Sequence, residues 1–239
     1  MSGHSKWATI RRTKGANDAK RGQLFTKLGH EIAVAVREGG PDPDANFRLR
    51  LVLDKARQAN MPKDNVERAI KRGSGELKGS EELQEWTYEG YGPHGTAIIV
   101  QVLSDNKNRT VSEVRRAFTR HGGNLGADGC VAWMFSRKGY IAIDPAGNDP
   151  EEIALVAIDS GAEDVEIEQD LVQVYTQPED LKSVQQALIA ANYKPTDAQL
   201  SWIPQSTVTL EEKDAMQTMK LIDALEELDD VQQVYSNLD

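Results

Sequence analysis

The chain has 239 residues, 39% of them apolar and 28% charged, and a net charge of −10. That length suits two or three compact units. No stretch approaches the run of about eighteen apolar residues that marks a membrane helix. The basic N-terminus lacks the apolar run of a secretory signal, and the one cysteine, Cys130, excludes an intrachain disulfide and a multi-cysteine zinc site, as suits a reducing cytosol.

The charge is segregated. Residues 1–73 hold 16 Lys+Arg and 8 Asp+Glu, a net +8; residues 74–239 hold the other 12 basic and 30 acidic residues, a net −18. The imbalance is sharpest in GHSKWATIRRTKGANDAKRG, Gly3 to Gly22. There Lys6, Arg11, Arg12, Lys14, Lys20 and Arg21 face a single acid, Asp18. Such asymmetry suggests a basic module attached to an acidic body.

From Gln23 the pattern becomes helical. Leu24, Leu28, Ile32 and Val36 recur every four residues and Gly39-Gly40 follows, which predicts one amphipathic helix with a glycine stop. A second helix is expected from Asp44 or Ala45 to about Ala59, with Leu49, Val52, Leu53 and Ala56 inward. A third begins at Pro62, a favoured first helical position, and ends at Gly73. Residues 73–80, GSGELKGS, read as a linker.

The remainder alternates strands and helices. WTYEGYG (86–92), TAIIVQVLS (96–104) and CVAWMF (130–135) read as strands. Thr110-Val111-Ser112-Glu113 has the spacing of a capping box, opening a helix closed by Gly122-Gly123. Residues 139–203 read β-α-β-β-α-β, the order of a ferredoxin-like sandwich. Its helices start at Asp149-Pro150 and at a cap formed by Thr176-Gln177-Pro178-Glu179. Thr209 to Glu212 caps a further helix with Met216, Met219, Ile222 and Leu225 inward, and VQQVY (231–235) is the last strand. The expected fold is α+β and multidomain. A basic arm (1–22) and a three-helix domain (23–79) precede two α+β domains. The ferredoxin-like one (138–203) is inserted into the other (80–137 plus 204–239).

The chain carries few signs of catalysis. His4, His30, His94 and His121 fall in no metal-ligand spacing, and no nucleophile elbow, Walker loop or dinucleotide fingerprint occurs. The pairs Glu151/Glu152 and Glu211/Glu212 open helices, where negative charge complements the macrodipole. The expectation is a binding protein with no metal, no cofactor and no catalytic residues.

What it binds follows from the basic end. Spaced cations can repay the ordering entropy of an extended arm through phosphate contacts. Trp7 can stack on a base or anchor the arm on the helices. Lys27, Arg48, Lys63, Arg68, Lys71 and Arg72 extend the positive surface, and the short gap from Asn60 to Pro62 admits a helix-turn-helix. The loop SDNKNRT concentrates Asp105, Asn106, Lys107, Asn108, Arg109 and Thr110. It reads either as a polar turn with a cap or as a second contact for phosphates and base edges. Charge alone does not separate DNA from RNA.

These blocks resemble the YebC/PmpR family. The match lies in GHSKWATIRRTKGANDAKRG, LFTKLGHEI and ANMPKDNVERAIKRGSGE, and in the middle-domain segments YEGYGPHG, SDNKNRTVSEVRRAF and NLGADGCVAWMF. It covers nearly the whole chain. The resemblance implies a three-domain cytosolic protein and a DNA-binding transcriptional regulator. The alternative it implies is a ribosome-associated, RNA-binding translation factor, as for the related mitochondrial translational activator of cytochrome oxidase subunit I. It carries binding roles to Lys6, Trp7, Arg11, Lys14, Lys20, Arg21, Asn106, Asn108, Arg109 and Thr110. Three positions depart from the family pattern: Phe47 for proline, His94 for glycine and Cys130 for serine.

Overall fold

The computed structural model describes residues 18–77, 83–168 and 171–239, with side chains from Arg21 onward. Two compact units emerge. One runs to Phe135 and resumes over Pro204–Asp239; the other is Ser136–Ile203.

In the first unit, α1 (Asp18–Gly39) buries five consecutive residues, Ile32 to Val36. A helix turns every 3.6 residues, so such a run cannot lie on one face. Leu28, Ile32, Ala35 and Val36 pack against Leu49, Val52 and Ala56 of α2 (Phe47–Gln58) and Ala69 of α3 (Lys63–Gly73). Ala33 and Val34 instead meet Leu83 and Leu103. The four-residue spacing identifies only the first of these faces, and it overreaches at Leu24, which is 40% exposed.

The second helix starts later than the sequence suggested, because Asn46 rather than Asp44 or Ala45 caps it. Its Oδ1 accepts the Leu49 N–H at 3.0 Å, and its amide donates to the carbonyls of Ala35 at 2.7 Å and Gly40 at 2.9 Å. One buried side chain thus opens α2 and ties the end of α1. Phe47 is the first helical residue, a position that favours proline without requiring it. Gly73 lies against α1: a Cβ there would collide with the Ala33 carbonyl and the Val36 side chain.

The first sheet orders its strands β3-β1-β2-β8, all antiparallel. These are β1 (Gln84–Tyr91), β2 (Ala97–Ser104), β3 (Asn124–Leu125) and β8 (Val231–Ser236). Ile98, Val100 and Val102 face the core shared with Val114 and Phe118 of α4 (Lys107–Arg120) and Leu221, Ile222 and Leu225 of α7 (Glu212–Glu226). Leu103 points the other way, to Ala33, Val34 and Leu83. Burial on both faces explains why AIIVQVL is almost continuously apolar. It also makes the helices and this sheet one unit. Each buried Ile or Leu contributes about 1.5–3 kcal/mol.

The chain leaves this unit and returns beside its exit, with the Gln205 N–H donating to the Met134 carbonyl at 2.8 Å. The second unit runs β4 (Phe135–Ile143), α5 (Pro150–Asp159), β5 (Asp164–Glu168), β6 (Leu171–Thr176), α6 (Leu181–Ala190) and β7 (Pro195–Pro204). Its sheet order is β5-β6-β4-β7. Asp149 caps α5 through the Glu151 N–H at 3.0 Å, with Pro150 at the first position.

Four local expectations are corrected. Residues 130–134 form a turn and a 3-10 segment (Ala132–Met134), and only Phe135 begins a strand. The Thr110 capping box does not form: the cap is Asn106, four residues earlier, and α4 starts at Lys107. Thr176 ends β6 rather than capping α6, which begins at Leu181 after Asp180. Met216 is 51% exposed, and α7 turns Ala215, Thr218, Leu221, Ile222 and Leu225 inward instead. Among the described residues, no helix is long and apolar enough to cross a membrane.

Candidate nucleic-acid interface

Five residues of the expected binding arm, Lys6, Trp7, Arg11, Arg12 and Lys14, lie outside the described residues. Lys20 falls in the first turn of α1. Arg21 follows it, exposed, with its guanidinium 5.5 Å from the centre of the Phe25 ring. The stacking holds the cation near the helix without neutralising it.

Two expected contacts are already engaged within the protein, Lys27 half-buried and Arg48 at the surface. The Lys27 ammonium donates to the Glu226 carbonyl at 2.6 Å, and Gln23 beside it donates to the Glu227 carbonyl at 2.5 Å. Both satisfy open carbonyls at the C-terminal end of α7, where positive charge complements the dipole. Burial lowers the Lys27 pKa, against the opposing pull of Glu226, Asp229 and Glu31. Arg48 pairs with Glu38 at 2.6 Å and with Glu85 at 2.9 Å, so it links α1, α2 and the start of β1. Neither is a spare cation for a phosphate.

The third helix is different. Arg68 and Lys71 are exposed and make no ion pair among the described residues. Lys63 is paired with Glu67 at 3.7 Å. Arg72 is half-buried, close enough to His30 to oppose its protonation. Burial of His30 is the larger cause of its lowered pKa, and Asp230, Asp105 and Asp229 act in the opposite sense. Ala33 and Val34 of α1 pack on Leu103, the residue just before the 104–110 loop, which places the helices beside it.

The loop is organised by Asp230, which is only 6% exposed. Its carboxylate accepts from the Thr110 hydroxyl at 2.7 Å, the Ser104 hydroxyl at 2.9 Å and the Arg109 guanidinium at 2.9 Å. Arg109 also reaches Asp105 at 3.1 Å. Burial alone would raise the Asp230 pKa, but the bonds from Thr110, Arg109 and Ser104 outweigh it and hold the carboxyl below the usual range. Asn106 accepts the Arg109 N–H at 3.1 Å as the helix cap. The Lys107 ammonium lies 5.8 Å from the centre of the Trp86 ring. Of the six candidate contact residues here, Asp105, Asn106, Arg109 and Thr110 therefore hold the start of α4 in place. Asn106 to Arg109 are all exposed, but the side chains of Lys107 and Asn108 take no part in this network.

A second buried carboxylate, Glu89 at 7% exposure, had no reading from the sequence. It accepts three backbone N–H groups, from Gly129 at 2.7 Å, Val131 at 2.9 Å and Ala132 at 2.7 Å. These amides are satisfied by a side chain, which is why residues 129–132 need no strand partner. Tyr91 and Trp133 both donate to the Cys130 carbonyl, at 3.0 and 3.1 Å. Among the described residues, no group of three His, Cys, Asp or Glu is placed to hold a metal ion.

The arginines Arg115, Arg116 and Arg120 of α4 were also passed over. All three are exposed, with no ion pair among the described residues. Charge counted over the whole 74–239 segment hides them. Charge counted helix by helix reveals them: α4 carries Lys107, Arg109, Arg115, Arg116 and Arg120 against Glu113 alone, a net +4.

Comparison with known proteins decides the relationship. Residues 5–76 match the N-terminal domain of the TACO1/YebC proteins, and residues 83–238 match their second and third domains. The chain belongs to the TACO1/YebC family. A probable transcriptional regulatory protein of Dehalococcoides mccartyi is 54% identical over all of this chain and 95% of its own. One of the same description from Roseiflexus castenholzii is likewise 54% identical, over 100% and 95%. The crystal structure of a conserved hypothetical protein from Aquifex aeolicus, 50% identical, superposes with a TM-score of 0.89 over 98% of this chain and 97% of that one. Family membership spans the arm, the helices and both sheets.

Proposed function

We propose that the protein is a nucleic-acid-binding regulator, a DNA-binding transcriptional regulatory protein that engages its target through the basic N-terminal module. The observation that carries this reading is the segregation of charge, +8 over residues 1–73 against −18 over the rest. The relatives described as probable transcriptional regulatory proteins support it. The arm supplies Lys6, Arg11, Arg12 and Lys14; Lys20, Arg21, Arg68 and Lys71 continue the basic tract along α1 and α3. The acidic remainder repels the same polyanion and restricts how it lies. The protein acts by binding, without catalysis, in the cytosol. Ser136–Ile203, with its β-α-β-β-α-β order, is a ferredoxin-like module inserted into the first unit.

The test is a competition at fixed physiological salt between purified ribosomes and a pool of genomic duplex fragments. The full chain is compared with its Arg11→Ala/Arg12→Ala/Lys14→Ala variant. Enrichment of a few duplexes, lost in the variant, is the expected result. Capture by ribosomes with no duplex enrichment would replace the regulator by a translation factor. Unchanged affinity and salt slope in the variant would remove the arm from the interface.

A further inference from the structure

Helix α4 is a basic element in the otherwise acidic segment 74–239. Residues 74–239 contain 12 Lys+Arg and 30 Asp+Glu, yet α4 alone carries five of those basic residues and one acid. Its two ends differ. Arg109, in the first turn, is bound to Asp230 and Asp105, and Lys107 lies over Trp86. Arg115, Arg116 and Arg120 are exposed and unpaired among the described residues, although carboxylates are abundant in this unit.

The helix dipole does not account for them. Only Arg120 lies in the last turn, where a cation stabilises the C-terminus. Arg116 and Arg120 are one turn apart on the same side, so their side chains stand about 5–6 Å apart at Cβ. With Val111, Ser112, Arg115 and Thr119 they line one open hollow of about 490 Å³. The Ser112 and Thr119 hydroxyls are turned back onto the carbonyls of Asn108, at 2.7 Å, and Arg115, at 2.9 Å. The outward donors of this face are therefore the guanidinium groups. All three are arginines, whose planar forks match phosphate oxygens in pairs.

We infer that the Arg115/Arg116/Arg120 face of α4 is a second phosphate-backbone contact, separate from the N-terminal arm. The inference rests on the nucleic-acid reading above and adds a site to it. Contacts of this kind position a polyanion without reading its sequence. A second foothold within residues 74–239 also offsets the repulsion that this net −18 segment exerts on a polyanion held by the arm.

The experiment titrates the full chain against a random-sequence DNA duplex and, separately, total ribosomal RNA, by fluorescence anisotropy over a salt series. The proteins are the wild type, Arg115→Ala/Arg116→Ala/Arg120→Ala and the matching triple lysine variant. The alanine variant is expected to flatten the slope of log K against log salt by up to about 2.7 on the duplex, or about 2.1 on single-stranded nucleic acid. The lysine variant is expected to keep most of the slope. The probe whose slope falls identifies the source of the phosphates. Should the triple alanine variant not fold, each single variant is expected to lower the duplex slope by about 0.9. A wild-type slope in the alanine variants on both probes overturns the α4 contact. The arm reading survives that result if Arg11→Ala/Arg12→Ala/Lys14→Ala still flattens the slope. A wild type with no salt-dependent binding to either probe overturns both.

Discussion

Two buried carboxylates organise two loops of the same unit, and they do so by different means. Asp230 gathers side chains: the hydroxyls of Ser104 and Thr110 and the guanidinium of Arg109. Glu89 gathers backbone, the N–H groups of Gly129, Val131 and Ala132. The first arrangement leaves a trace in composition, because the partners must be particular residue types. SDNKNRT stands out as a polar cluster for that reason. The second leaves none, since any non-proline residue supplies an N–H. Residues 130–135 consequently read as an apolar strand, whereas 130–134 fold as a turn and a 3-10 segment around a carboxylate that lies on β1.

Replacing the two carboxylates separates these cases. Asp230→Asn is expected to have the largest effect, about 3 kcal/mol of stability, because it removes the charge that Arg109 and two hydroxyls share. Urea denaturation measures it, and a loss below that of Glu89→Gln would reverse the ranking. Glu89→Gln is expected to cost about 2 kcal/mol. Its amide nitrogen cannot accept, so at least one of the three N–H groups is left unpaired. Faster hydrogen exchange confined to residues 129–132 is the signature, and uniform exchange changes would contradict a local role.

The smallest effect is expected in the pH dependence. The Asp230 carboxyl titrates lower in the folded chain than when unfolded. Its contribution is therefore fully present above the ordinary aspartate pKa near ~3.9 and lost as pH falls through the lower folded value. The stability difference between the wild type and Asp230→Asn should shrink over that acid window. A difference that stays constant on acidification would show that the carboxylate charge is not what holds the loop.

Legibility varied along the chain with the range of the interaction that decides each feature. The caps at Asp149 and the glycine after α1 depend on residues a few positions apart and were readable. The start of α4 was misplaced because Thr110 and Asn106 are both competent caps, and Asp230, 120 residues away, engages the Thr110 hydroxyl. Lys27 and Arg48 resembled unpaired cations until α7 and β1 supplied their partners. Arg115, Arg116 and Arg120 were visible throughout, but a whole-segment charge count averaged them away.

By itself the sequence determined the α+β class, the three-helix start, the alternation of strands and helices after it, and the separation of a basic end from an acidic body. All of these follow from periodicity, turn residues and charge, which act over a turn of helix or a pair of strand residues. The tertiary structure alone decided which cations stay unpaired and why β2 is apolar on both faces. Those outcomes depend on partners far apart in the chain, brought together only when the core closes.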